Sequence, residues 1–283
     1  MNSELHRFAD EMMKAAFAAG KYARESQGTV QNVEKEHELT TDADPEFIQR
    51  RDRAKTVIDE HVQEMLLSTI QSMGLSFRID AEEDTPLKAA LHNESAPMTV
   101  VIDPVDGTLE YFEGGSDWFV NVALVSDGKI LFAFMYSPVP EKLYLLDIDR
   151  KSYICTCENG AIARREPMTS ASNMESTKLY FNNRVPEGAI EKLSHEFEIV
   201  RDIHGIVKWP DALLGCISGE YKAALFVRPQ IRDVLIGAMI ETMQGGYAVD
   251  FSGNKITWPD GGRIPEVVFG FREFPEEIKH CFH

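Results

Sequence analysis

The sequence predicts an α/β fold of the layered α+β kind, with alternating helix and sheet layers, and three observations predict it. Two long stretches near the N-terminus carry apolar residues at three- and four-residue spacing. The stretch from 76 to 146 breaks into short β-prone runs separated by turn signals. The remainder mixes both periods. At 283 residues, 43% of them hydrophobic, the chain can bury a sizeable core without disulfide staples.

Each element follows from its own pattern. Leu5, Phe8, Met12, Ala15, Ala16, Ala19 and Tyr22 predict one amphipathic helix over 3–26. A polar loop, 27–44, comes next. Ile48, Ala54, Val57, Ile58, Val62, Met65, Leu66 and Ile70 predict a long second helix over 45–73, with Pro45 suited to its first turn and Gly74 ending it. Strands are expected at 76–80, 98–103, 118–126, 130–137 and 143–146, with Ser126-Asp127-Gly128-Lys129 as a clear turn. A second mixed unit follows, with strands at 178–181, 199–202, 221–227, 247–251 and 267–271 and helices at 186–197, 211–218 and 231–244. There is no internal repeat or Ser/Gly linker. The boundary is expected near 150–160, giving an N-terminal α+β subdomain (1–150) and a C-terminal α/β subdomain (151–283).

Composition narrows the function. Net charge is −17, which excludes a nucleic-acid binder of the basic-patch kind, because a phosphate polymer would be repelled by most of the surface. An anionic small molecule remains possible if divalent cations invert the local field. Cysteines 155, 157, 216 and 281 are too few for a secreted disulfide scaffold, and Cys155 and Cys157 read as ordinary thiols on one face of a strand. No apolar run reaches the ~18 residues of a membrane span, and the charged N-terminus has no signal-peptide core. A cytoplasmic protein with neither membrane nor nucleic-acid partners is expected.

The chemistry concentrates at Asp103-Pro104-Val105-Asp106-Gly107-Thr108, directly after the apolar run 98–102. A strand ending in acid, proline, acid and glycine turns sharply and leaves two carboxylates at one strand end. Such a pair repels unless a cation lies between, and magnesium prefers these oxygen ligands. An EF-hand loop starting at Asp103 would need ligands at Val105 and Gly107, so it fails. The aspartyl-nucleophile pattern Asp-x-Asp-Gly-Thr fails because its first position is Pro104. A plain solvated turn is the remaining rival. Its weight falls because other acids share the pattern: Glu82-Glu83 past a strand, Asp44 ahead of the second helix, and Asp233 near the start of the helix at 231–244.

These residues resemble the signatures of the inositol monophosphatase superfamily, the magnesium-dependent, lithium-sensitive phosphomonoesterases. Asp103–Thr108 matches Asp-Pro-x-Asp-Gly-Thr, Thr41-Asp42-Ala43-Asp44 is similar to Thr-x-x-Asp, Ala81-Glu82-Glu83 to Gly-Glu-Glu, and Asp233 with Gly245-Gly246 to the C-terminal Trp-Asp motif. The resemblance runs from about residue 5 to 270 and implies the αβαβα sandwich of the inositol monophosphatase and fructose-1,6-bisphosphatase type. It also implies that Glu82, Asp103 and the Val105 carbonyl bind one Mg2+ and that Asp103, Asp106 and Asp233 bind a second. A third ion would face Glu82 through water. Asp44 and Thr108 would orient and deprotonate the attacking water, and the amides around Asp106, Gly107 and Thr108 would hold phosphate oxygens. Two metals about 3.5–4 Å apart suit direct in-line hydrolysis without a covalent intermediate. Members commonly form homodimers and act on small phosphorylated metabolites.

Departures bear on substrate. The family tryptophan before the last metal aspartate is Arg232, a substrate-holding glutamate is replaced by Phe226, and a Gly-Ser-Ala-like segment reads Lys208-Trp209-Pro210-Asp211-Ala212. Thr108-Leu109-Glu110-Tyr111 and 119–124 look closer to the branch that acts on 3′-phosphoadenosine 5′-phosphate, which is the alternative activity. A non-catalytic member that binds a metabolite or partner is the second alternative. Lys208, Trp209, Asp211 and Arg228 are the specificity candidates, with Arg228 able to grip a second anionic group.

Overall fold

The structure, a computed structural model, describes residues 2–29, 56–171, 175–201 and 209–282. It consists of two compact units, Met1–Pro167 and Met168–His283, each a layered combination of helices and one sheet, as the sequence predicts.

In the first unit, α1 (Asn2–Ser26) and α2 (Val57–Met73) accompany a seven-stranded sheet. Its strands lie side by side in chain order: β1 (Arg78–Ala81), β2 (Thr99–Asp106), β3 (Phe119–Ser126), β4 (Lys129–Ser137), β5 (Lys142–Leu146), β6 (Ser152–Glu158) and β7 (Ala161–Pro167). Only β1 and β2 are parallel, joined through the short helix α3 (Pro86–Leu91). The others pair antiparallel. Phe8, Met12 and Ala16 of α1 and Val62, Leu66 and Ile70 of α2 form one core with Val100 and Ile102 of β2 and Val120, Val122 and Leu124 of β3. The helical period and the strand period thus meet in a single apolar layer.

Two differences from expectation have plain causes. Thr56 is extended (φ −125°, ψ 164°) and caps α2, so that helix begins at Val57; of the predicted span, 45–55 lies outside the described residues. The first unit also runs past residue 150, because β6 and β7 extend the same sheet. They join through Asn159-Gly160, whose φ values of 52° and 74° resemble those of Asp127-Gly128 (49° and 69°) between β3 and β4. Positive φ at both central residues is the hairpin turn whose hand matches strand twist.

The second unit holds β8 (Lys178–Phe181), α5 (Glu187–Leu193), β9 (Glu198–Arg201), α6 (Trp209–Ser218), β10 (Ala223–Val227), α7 (Leu235–Thr242), β11 (Gly246–Val249), β12 (Glu266–Phe271) and α8 (Glu276–Phe282). The sheet order is β11-β12-β10-β8-β9, with β10, β8 and β9 parallel. Alternation along the strands sends Leu179, Phe181, Ala223 and Leu225 into a core with Ile190 of α5 and Ile278 of α8. The intervening Phe226 meets Trp209 of α6, ring centres 5.5 Å apart. The helix expected over 231–244 begins as a 3-10 turn, Ile231–Val234, and becomes α-helical only at Leu235.

Candidate active site

The site in the first unit is built from the start of α2 outward. Thr56, the N-cap of α2, and Asp59 and Gln63 on its buried face recur at helical spacing and are fully buried polar residues beside apolar ones such as Ile58, Val62 and Leu66. Asp59 Oδ2 accepts from the Thr56 backbone N–H (2.8 Å) and from the Thr56 hydroxyl (2.7 Å), closing a capping box. Its other oxygen, Oδ1, accepts from the Thr108 hydroxyl at 2.9 Å. One turn further, Gln63 Nε2 donates to the Glu83 carbonyl (2.6 Å) and Gln63 Oε1 accepts from the Glu83 N–H (2.8 Å). Helix α2 therefore fixes both Thr108 and the acidic segment after β1.

The strand ends supply the acids. Ala81 of β1 lies opposite Ile102 of β2 in parallel register, and the Glu82 N–H continues the ladder to the Ile102 carbonyl at 3.2 Å. Glu82 and Glu83 thus leave β1 beside Asp103. Asp103 and Glu83 are each only 3% exposed. Lys88, close by, is directed at Asp84 (2.8 Å) and the Ala81 carbonyl (2.7 Å). Burial, opposed by the Thr56 hydrogen bonds and reinforced by the charges of Glu82 and Glu83, pushes the Asp59 carboxyl up to about 6.

Between Asp103 and Asp106 the β2–β3 register shifts, Asp106 pairs with Phe119, and the chain leaves the ladder at Gly107 and Thr108. Asp106 Oδ2 accepts from Asn121 Nδ2 at 2.9 Å, and Asn121 is fully buried on β3 opposite Asp103. Gly107 has φ 91°, a conformation that favours glycine, and a Cβ there would stand a tight 3.2 Å from the Asp117 carbonyl oxygen. It leads into α4 (Thr108–Phe112). The Thr108 hydroxyl has one proton and lies 2.9 Å from both Asp59 Oδ1 and the Val105 carbonyl oxygen. Tyr111 donates to the Ala23 carbonyl at 2.8 Å, and Gln27 donates to the Tyr111 and Gly115 carbonyls (3.0 and 2.7 Å), which ties this turn to the end of α1.

Of the residues singled out in the sequence, the first unit gathers Glu82, Asp103, Val105, Asp106, Gly107 and Thr108 at the β1–β2 edge. Asp233 and Arg228 belong to the second unit, Asp233 half-buried in the 3-10 turn and Arg228 exposed just after β10. Asp44 and Lys208 lie outside the described residues. Among the described residues, the acid that meets Thr108 is Asp59, for which, as for Gln63 and Asn121, the sequence analysis gave no role. Thr56-Val57-Ile58-Asp59 repeats the Thr-x-x-Asp spacing, and Asn121 is a lone amide in an apolar strand, so both left a signal.

Among the described residues, no three His, Cys, Asp or Glu side chains stand together as a complete metal-binding group. The donor set nevertheless fits a hard divalent cation in kind, being all oxygen: carboxylates of Glu82, Asp103 and Asp106 and the Val105 carbonyl.

A layered helix-and-sheet scaffold of this kind is shared with solved phosphatase structures. A profile of the inositol monophosphatase family matches residues 4–267, and the chain belongs to that family. It is 26% identical over 212 residues to the inositol monophosphatase of Dictyostelium discoideum, covering 71% of this chain and 73% of that one. Among solved structures, an IMPase/NADP phosphatase complexed with NADP and Ca2+ superposes with a TM-score of 0.71 at 14% identity, covering 100% of this chain and 96% of that one. An IMPase/NADP phosphatase complexed with Mg2+ and phosphate gives 0.65 at 15% identity over 90% and 86%. No helix among the described residues is long and apolar enough to cross a membrane.

Proposed function

We propose that the protein hydrolyses a small phosphate monoester by direct attack of water, with Asp59 and Thr108 as the proton-handling pair. The observation that carries this reading is the buried hydrogen bond from Thr108 to Asp59 beside the acidic β1–β2 edge. With its proton directed to Asp59, the Thr108 oxygen can accept a hydrogen bond from the attacking water. A carboxyl held near 6 is matched to taking up that proton close to neutral pH. Asp59 takes the place in this reading that the sequence alone suggested for Asp44.

Glu82, Asp103, the Val105 carbonyl and Asp106 would hold Mg2+. When bound, the ion supplies Lewis-acid stabilisation of the phosphate and leaving-group oxygens. Asn121 keeps the Asp106 carboxylate in place through its amide. Gly107 permits the phosphate to approach the backbone closely, and the Gly107 and Thr108 amides orient it. The Mg2+ and phosphate in a solved IMPase/NADP phosphatase of the same fold support the ion and the ligand class. Lithium sensitivity and a homodimer accompany this reading.

The test is phosphate release from a panel of small esters with and without Mg2+. Mg2+-dependent turnover is expected, with kcat lowered about 10²–10³-fold in Thr108→Val, in the range for loss of a proton-transfer group. A silent panel, or a Thr108→Val enzyme as fast as the parent, would overturn the proposal.

A further inference from the structure

We propose that Gln27 and Tyr111 are positioning residues for the Thr108 hydroxyl, joining the end of α1 to α4 by opposed hydrogen bonds so that α4 presents Thr108 to Asp59. The proposal deepens the phosphatase reading and rests on it for the reaction.

The last four carbonyls of a helix have no partner within it. Ala23 lies in the last turn of α1 and Tyr111 in that of α4, and both residues are fully buried. Each helix end is capped by a side chain carried at the end of the other. The Tyr111 hydroxyl donates to the Ala23 carbonyl at 2.8 Å. Gln27 sits in the turn that closes α1, its N–H on the Arg24 carbonyl (3.3 Å), and its side chain runs the opposite way. The two protons on Gln27 Nε2 meet two acceptors, the Tyr111 carbonyl at 3.0 Å and the Gly115 carbonyl at 2.7 Å. The Gly114 N–H donates to Tyr111 (3.1 Å) and the Gly115 N–H to Glu110 (2.9 Å), so the Gln27 amide grips a turn that is itself closed. The Tyr111 ring stands edge-on to Trp118, centres 5.0 Å apart. Burial, with the charges of Asp59 and Tyr22 adding to it, pushes the Tyr111 phenol up to about 12, so it keeps the proton that it donates.

The consequence falls on Thr108. A helix of five residues is too short to hold its shape alone, so what grips α4 sets its position. Tyr111 lies three residues beyond Thr108, about 4.5 Å along a helix axis, and slack at one is felt at the other. The Thr108 hydroxyl has a single proton and two acceptors at 2.9 Å, Asp59 Oδ1 and the Val105 carbonyl oxygen. A small displacement of α4 therefore changes which of them takes the proton. Only the bond to Asp59 orients the hydroxyl as the proposed reaction requires, and misplacement by about 1 Å can cost about 10²-fold in rate.

The experiment uses Tyr111→Phe, which removes one hydroxyl and keeps the ring, and Gln27→Met, which keeps the length and removes both donors. Each is made in the parent and in Thr108→Val and assayed with Mg2+ on the ester that the parent hydrolyses fastest, well below the unfolding midpoint of every protein. In the parent, either variant should lower kcat about tenfold while KM moves less than about twofold. In the Thr108→Val background neither should change kcat by more than about twofold, because a residue acting only through Thr108 has nothing left to position. Unchanged kcat in the parent, or an equal loss in both backgrounds, would overturn the proposal and leave the phosphatase reading standing. If no ester is hydrolysed, that reading fails, and the positioning is decided by NMR couplings that report the Thr108 side-chain rotamer in metal-free protein. A single rotamer in the parent with averaging in both variants sustains it; averaging already in the parent, or one rotamer shared by all three, refutes it.

Discussion

Asp59 carries most of the weight at the residue scale. Its carboxyl is fully buried, and its folded value of about 6 lies above the 3.8 of the free side chain. The folded protein therefore binds this proton more tightly than the unfolded chain does. The associated stability is present at low pH and is lost as pH rises through the window from about 4 to about 6, a change of about 3 kcal/mol. In urea titrations of metal-free protein, Asp59→Asn is expected to flatten that stretch of the stability–pH curve; an unchanged slope would place the titration elsewhere. The sequence contains this residue in plain view, but Thr-x-x-Asp occurs twice, at 41–44 and 56–59. Ile48 and Ala54 extend the apolar period backward, which favours the earlier copy. The extended conformation of Thr56, a local cap that periodicity does not reveal, is what brings the later copy to notice.

Among the elements, α2 is the one that organises the site. Gln63 satisfies the backbone N–H and carbonyl of Glu83 at once, so Gln63→Leu would leave two buried groups without their partner. A loss of about 2–4 kcal/mol is expected, read as a lower urea midpoint, together with a weaker apparent affinity for Mg2+ because Glu82 adjoins the released segment. Element boundaries were legible where turn chemistry was strong. Asp127-Gly128 marks its hairpin in the sequence, and so does Asn159-Gly160, yet the latter was read as part of a domain boundary because the flanking strand β7 is mostly exposed and lacks an apolar face. Helix α3 went unseen because six residues are too few for periodicity, although Thr85 and Pro86 supply its cap and first turn.

For the molecule as a whole, layered α/β architecture was legible because periods of 3.6 and 2 succeed one another cleanly along the chain. The acidic edge was legible because its acids lie close in sequence at 82–83 and 103–106. A net charge of −17 makes divalent cations a general source of stabilisation, and the proposed site makes it specific. Mg2+ at a hundredfold its dissociation constant should add about 2.7 kcal/mol and raise the melting temperature by several degrees, whereas Asp103→Asn should remove most of that shift. An equal shift in both proteins would assign the effect to diffuse charge screening.

The double engagement of Asp59, at once the first-turn partner of Thr56 and the acceptor for Thr108, gives inactivation an uneven course. Replacing the half-buried Glu82 leaves that cap untouched, but Asp59 cannot be discarded without loosening the beginning of a core helix. A descendant that had abandoned catalysis for a purely architectural life would still be expected to keep it. In such a lineage the survival of Asp59 is no certificate of turnover, and the letter at position 82 is the one to read.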